Sequence, residues 1–253
     1  TGEMQLTPKY LHGNGTISIQ TAELKSQLYK FYSKNFTTDT CDFTLKNDEF
    51  QQLGFKTTNF SANIDYKERK GDFKSNAEAS IVNFPLNQYM CYMSEFTWYM
   101  DKEELELSKD KDKIVNTDNM STKEIADLDI SGSEFISTKK GQDSLRFFSA
   151  RATYKLSESI IYCRDVNYIP VADALIFPDK KNVTILRDAE IKTLEKAKIL
   201  ANSTTKYHEI YNSIVNIKGR KKYIANGDYE YKSKNMKTQT IHFNIVDVDS
   251  TLQ

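Results

Sequence analysis

Glycine and proline are scarce in this chain, nine and four in 253 residues. So few glycines leave little material for phosphate-cradling backbone, and neither a GxGxxG fingerprint nor a Walker loop is present. Histidine is scarcer still. His12, His208 and His242 stand far apart, in no HExxH or comparable ligand spacing, so no metal site and no cofactor is expected. The three cysteines, Cys41, Cys91 and Cys163, are odd in number and lack close pairing, so at most one disulfide is possible and a disulfide-stapled scaffold is excluded. Cys91 and Cys163 lie inside apolar runs and read as small buried hydrophobes. Net charge is absent too: 35 Lys and Arg balance 35 Asp and Glu, which argues against a broad basic face for nucleic acid. No apolar run approaches the roughly 18 to 20 residues of a membrane-crossing helix. With no Gly-x-Ser-x-Gly elbow either, nothing points to an enzyme.

What the chain has is aromatic residues, 15 Tyr and 14 Phe, enough to build a core. Their setting is a period of two. Thr16–Gln20, Phe60–Tyr66, Phe96–Met100, Glu104–Leu107 and Ile241–Ile245 all alternate apolar with polar. Between the short runs stand turn-forming residues: Gly13-Asn14-Gly15, Arg69-Lys70-Gly71-Asp72, Pro85-Leu86-Asn87, Asp179-Lys180-Lys181-Asn182 and Asn226-Gly227-Asp228. This pattern predicts an all-β fold of repeated antiparallel or stacked strand units, a β-jellyroll or β-solenoid-like body with at most one or two short helices.

One helix is announced by the capping box Ser121-Thr122-Lys123-Glu124. Asp188–Leu200 suits helix or strand, and its β surroundings favour strand. Residues 1–107 read as a first β-rich unit, 108–128 as a charged loop with a possible short helix, and 129–253 as a second β-rich unit continuous with the first. The lysine-rich stretch Ser108–Asn119 is the best loop candidate. An internal echo supports a shared unit: Phe60-Ser61-Ala62-x-x-x-Tyr66-Lys67 returns as Phe148-Ser149-Ala150-x-x-x-Tyr154-Lys155, which predicts equivalent places for Tyr66 and Tyr154. Thr at position 1 and strand alternation up to the last residues predict a segment of a longer polypeptide.

The unit Ser61–Phe73, an alternating strand, a tyrosine, a short charged turn and another strand, resembles the repeats of the lipopolysaccharide-transport family, the OstA-like β-jellyroll; Ala150–Phe177 looks similar. With Phe84–Met93 and Val171–Pro178, the chain also resembles part of a very large exported Bacteroidota protein of unassigned function. The resemblance implies a periplasmic or outer-membrane, surface-associated β scaffold. It implies an apolar groove, walled by residues 60–107 and 148–177, for lipid or lipopolysaccharide, or a sheet edge for an envelope protein's strand. Asp143-Ser144-Leu145 and Asp249-Ser250-Thr251 are similar to acceptor sites for O-glycosylation in that phylum, and also read as ordinary polar turns.

The aromatic cluster around Tyr92, Phe96 and Trp98 offers a second function, a carbohydrate-binding surface module, because rings on an exposed sheet face stack on sugars. The same alternation suits a strand with Phe96, Trp98 and Met100 turned inward and Thr97 and Tyr99 outward, and this reading is favoured. Glu103, Glu104 and Glu106 offer a glycosidase pair only if two acids face each other across a cleft, which neighbours on one strand do not guarantee. Asp101–Glu104 reads instead as a hairpin turn.

Overall fold

In the computed structural model, residues 1–47, 51–108, 116–117, 119–128, 131–232 and 237–252 are described. Strands take 64% of the chain and helical turns 8%, so the fold is all-β, with antiparallel sheets not closed into a barrel. The first ten strands are β1 (Gly2–Leu6), β2 (Leu11–Ile19), β3 (Ala22–Phe31), β4 (Asn35–Asn47), β5 (Gln52–Asp65), β6 (Lys70–Ser75), β7 (Ser80–Phe84), β8 (Tyr89–Met93), β9 (Glu95–Tyr99) and β10 (Glu104–Ser108). The short helix α1 (Thr122–Ala126) follows. Then come β11 (Ser133–Ser137), β12 (Arg146–Ser149), β13 (Arg151–Lys155), β14 (Ile160–Arg164), β15 (Ile169–Val171), β16 (Ala174–Phe177), β17 (Val183–Ile185), β18 (Leu194–Ala201), β19 (His208–Gly219), β20 (Lys222–Lys232) and β21 (Thr238–Asp249). The residues form two compact units, 1–109 with 151–161 and 110–150 with 162–253.

In the first unit β1 to β6 run as an antiparallel meander, continued by β9, β10 and β13. β5 is shared between two sets of partners. Its Phe60–Asp65 half pairs with β6, whereas Lys56 and Thr57 pair with β7, which in turn carries β8. A line of irregularities crosses the meander where the halves divide: register shifts at Gly13/Gly15 and Thr38/Cys41, and a left-handed Asn59 at φ 62°. Bulges of this kind bend strands and let one strand serve two layers. They also unpair backbone groups, and two buried hydroxyls answer for that. Ser26 Oγ lies 2.7 Å from Thr38 Oγ1, donates to Thr40 O and accepts from Leu28 N.

The bend brings aromatic side chains from both halves into one core. Phe43 of β4 lies 4.4 Å from Phe73 and 5.4 Å from Trp98, ring centre to ring centre, and Phe96 stacks on Phe73 at 4.5 Å. Phe55, Phe84 and Tyr154 continue the cluster. Gly71 makes room for it: in register it stands between Ile64 and Trp98, and a Cβ there would lie 2.6 Å from Ile64 Cδ1.

The second unit holds the β11–β12 hairpin, with Phe135 stacked on Phe147, and a six-stranded sheet in the order β15-β16-β18-β19-β20-β21. All four residues of β16 are buried. Leu175 and Phe177 pack with Leu200 against Ile125 of α1. The capping box forms as the sequence predicts: Ser121 Oγ accepts from Glu124 N, and the Glu124 carboxylate accepts from Ser121 N. Nearby, the Gln142 side chain donates to Ala189 O, while Gln142 O accepts from Arg220 N.

Several expectations are corrected, among them the turn at Arg69-Lys70-Gly71-Asp72, of which only Arg69 is in a turn while Lys70, Gly71 and Asp72 open β6. Gly13-Asn14-Gly15 and Asn226-Gly227-Asp228 are not turns but lie inside β2 and β20. Gly15 (φ 107°) and Gly227 (φ 154°) sit at register shifts, because glycine's conformational freedom serves a bulge as readily as a hairpin. The octapeptide echo does not mark equivalent places either. Phe60–Asp65 is one continuous strand that ends before a 47% exposed Tyr66, whereas Ala150 separates β12 from β13 and Tyr154 is fully buried. The favoured strand reading of Asp188–Leu200 holds for its second half, where β18 runs, after a 3-10 turn at Arg187–Ala189. Most of Ser108–Asn119 lies outside the described residues; Ser108 closes β10.

Candidate functional site

An apolar groove of about 390 Å³, within the range of small-molecule sites, opens in the first unit. Its floor is Phe36 of β4, Ile64 of β5 and Met100 after β9, all buried. Ile17 and Ile19 of β2 and Phe31 of β3 form half-buried walls. Each arrives there by the period of two: Ile17 and Ile19 share a face of β2, and Ile64 continues the inward row Phe60, Ala62. Aromatic contacts fix the shape, with Phe31 5.8 Å and Tyr66 6.0 Å from Phe36.

Charges at the groove's mouth are already compensated. The Arg69 guanidinium is paired with Asp101, and Asp65 Oδ1 accepts from the backbone N–H groups of Lys67 and Glu68, closing the turn. Partial burial pushes the Tyr66 phenol above its usual pKa, so it stays a neutral hydroxyl at the rim. The arrangement offers an apolar slot with a polar lip whose charged groups are already hydrogen-bonded or ion-paired.

The residues singled out from sequence are not gathered on one surface. Phe96 and Trp98 are buried on the inward face of β9, with Met100 beyond them, while Thr97 and Tyr99 turn outward. The exposed three-ring platform that a sugar would stack on is therefore not formed; two of its rings are spent on the core. Tyr92 alone is exposed, at 38%, on the outer face of β8 across from Ile81.

The acidic residues serve the hairpin and surface pairs. Glu103 is a left-handed turn residue, Glu106 accepts from the Tyr99 hydroxyl at 3.0 Å, and Lys155 lies between Glu104 and Glu158. His12 stacks on Tyr10, His208 Nδ1 lies 2.9 Å from the Tyr229 hydroxyl, and His242 Nδ1 lies 2.7 Å from Asp228. That hydrogen bond, with a further one from Asn212, holds the Asp228 carboxyl below its usual range. Among the described residues no group of three or more His, Cys, Asp or Glu is placed to hold a metal ion. All three cysteines are buried and outside any disulfide. Burial pushes the Cys41 thiol up to about 12 and raises Cys163 further, the opposite of a nucleophile's environment.

The groove uses Ile64 and Met100 from the segment that the family resemblance marks as wall, but Ile17, Ile19, Phe31 and Phe36 come from the first fifty residues. In the sequence those four look like ordinary core positions. Only the pairing order, which places β2 to β5 side by side, makes them neighbours. Among the described residues no helix is long and apolar enough to cross a membrane. Comparison with protein-family models, with curated proteins and with solved structures finds no match to the chain.

Proposed function

We propose that the chain is a non-catalytic β scaffold of an exported protein, periplasmic or at the outer-membrane surface, and that its first unit holds a lipid acyl chain in the groove of β2 to β5. The observation that carries this reading is the composition of the groove: hydrocarbon on floor and walls, and at the lip charges that already have partners. An acyl chain gains about 0.8 kcal/mol for each methylene it buries and asks for no polar partner at depth. The envelope setting is supported by the likeness of Ser61–Phe73 to lipopolysaccharide-transport repeats. The carbohydrate alternative has less to draw on, since Tyr92 is the one exposed ring of the three.

Native mass spectrometry of the purified chain, with displacement of a fluorescent fatty acid, tests the proposal. One acyl chain per protein is expected, lost in Ile19→Lys, which sets an ammonium in the half-buried wall, while the emission of buried Trp98 stays unchanged. A chain that carries no lipid and takes up no probe, or a variant that binds the probe equally well, would refute it.

A further inference from the structure

The last strand of the six-stranded sheet ends in an edge that the fold leaves open. Among the described residues β21 pairs only with β20, over twelve residues, about twice the length of an ordinary strand. Natural edges are blunted by Lys, Pro or short length. None of these applies, because Thr238–Asp249 contains no Lys, no Arg and no Pro. One bulge interrupts it: β21 takes three steps from Phe243 to Val246 where β20 takes two from Gly227 to Ala225, a mild form of the bulging that also protects edges.

Side chains on this edge repeat the message of the backbone. The cross-strand row Ile210, Tyr229, Ile241 begins 7% exposed on β19 and ends 39% exposed on β21. Beside it the Tyr229 ring reaches Phe243 at 6.1 Å, and Phe243 is 36% exposed. The apolar face of the sheet therefore runs out to the edge and stops uncovered.

We propose that two copies of this chain join edge to edge through β21, antiparallel about a two-fold axis, making one continuous sheet. Charge selects this arrangement. The acids of the strand, Asp247 and Asp249, lie at one end, Asp249 paired with Lys222 of β20 and no cation on the strand itself, so a parallel copy would bring the acids of both copies together, whereas an antiparallel copy carries them apart. The chain as a whole has zero formal net charge at pH 7, so two copies meet without long-range repulsion. Composition selects the register. Centred on His242, antiparallel pairing sets Ile241 of each copy against Phe243 of the other, an aromatic to β-branched pair formed twice, and matches Thr240 with Asn244 on the opposite face. Such a contact is isologous and uses up the edge, so assembly stops at two. This inference concerns the second unit and does not rest on the groove.

Sedimentation velocity of the 253-residue chain across a concentration series tests it. A reversible dimer is expected. Phe243→Lys should weaken it roughly tenfold or more, with circular dichroism and Trp98 emission unchanged because Phe243 is partly exposed in the monomer. His242→Cys fixes the register: residues directly opposite have Cβ atoms about 4.5 to 5.5 Å apart, within reach of a slightly adjusted disulfide. Mild oxidation should cross-link that variant, and leave Thr238→Cys without a cross-link. A wild-type chain that stays monomeric throughout, or a dimer indifferent to Phe243→Lys, would overturn the interface. A dimer that Phe243→Lys dissolves but that His242→Cys does not cross-link would overturn the register.

Discussion

Gly71→Ala is the sharpest probe of how the first unit is packed. The added methyl would lie 2.6 Å from Ile64 Cδ1, 2.9 Å from Phe73 Cε2 and 3.5 Å from Trp98 Cε3. The first two are closer than real carbon contacts, so a neighbour must move, and Phe73 is held by its stack with Phe96. Overpacking of this kind costs about 1 to 3 kcal/mol. Alanine returns about 0.4 to 1 kcal/mol by restricting the unfolded chain. At the middle of both ranges the net expectation is a loss of about 1.3 kcal/mol. Ile64→Val removes the crowded Cδ1 and should alone cost about 0.5 to 1.5 kcal/mol. In the double variant the added methyl enters the space that Cδ1 vacated, so the combined loss should fall short of the sum by about 1 kcal/mol. Urea unfolding followed through the single tryptophan, Trp98, gives all four corners of the cycle. Losses that add to within about 0.3 kcal/mol, or a Gly71→Ala protein as stable as wild type, would refute the packing argument.

Two further outcomes are expected. With Cys41, Cys91 and Cys163 all buried, a thiol reagent at neutral pH should modify none of them in the folded chain and all three in denaturant; rapid reaction of the native protein would contradict the buried assignment. Asp249 accepts from Thr251 Oγ1, from Lys222 Nζ and from Thr251 N, which lowers its pKa to about 2 against an ordinary 3.8. Because the folded value is the depressed one, its contribution to stability is complete above the ordinary value and disappears as the pH falls through about 2. Carboxyl titration by NMR should place the midpoint there and move it upward in Thr251→Val.

Alternation is the legible part of this chain. Phe96-Thr97-Trp98-Tyr99-Met100 specifies its own inward face, and Ser121-x-x-Glu124 specifies the start of α1, because both are decided within a few residues. The bend across β2 to β5 is not legible. It depends on shifts that only paired strands possess, and its glycine at position 15 looks like hairpin chemistry because φ > 0 suits both uses. The likeness of Phe60–Lys67 to Phe148–Lys155 fails because Ala62 lies inside one strand whereas Ala150 separates two, and Tyr66 ends exposed where Tyr154 is buried. The groove is half visible. Ile64 and Met100 lie within the stretch singled out by resemblance, whereas Ile17, Ile19, Phe31 and Phe36 become its lining only through the order of strands. Tyr92, Phe96 and Trp98 are neighbours in sequence and are divided by the core, which claims the two more useful rings.

The pairing of β10 with β13 sets an order of events during synthesis. Glu104–Ser108 waits for Arg151–Lys155, so the whole intervening stretch must leave the ribosome before the first unit acquires its final strand. Until then the outer side of β10 stands unpaired, with Leu105 and Leu107 lacking Tyr154 and Ala152 opposite them. The chain is thus translated with a vacancy in its first unit that residues synthesised later must fill. A nascent chain halted at residue 150 would present that unpaired edge.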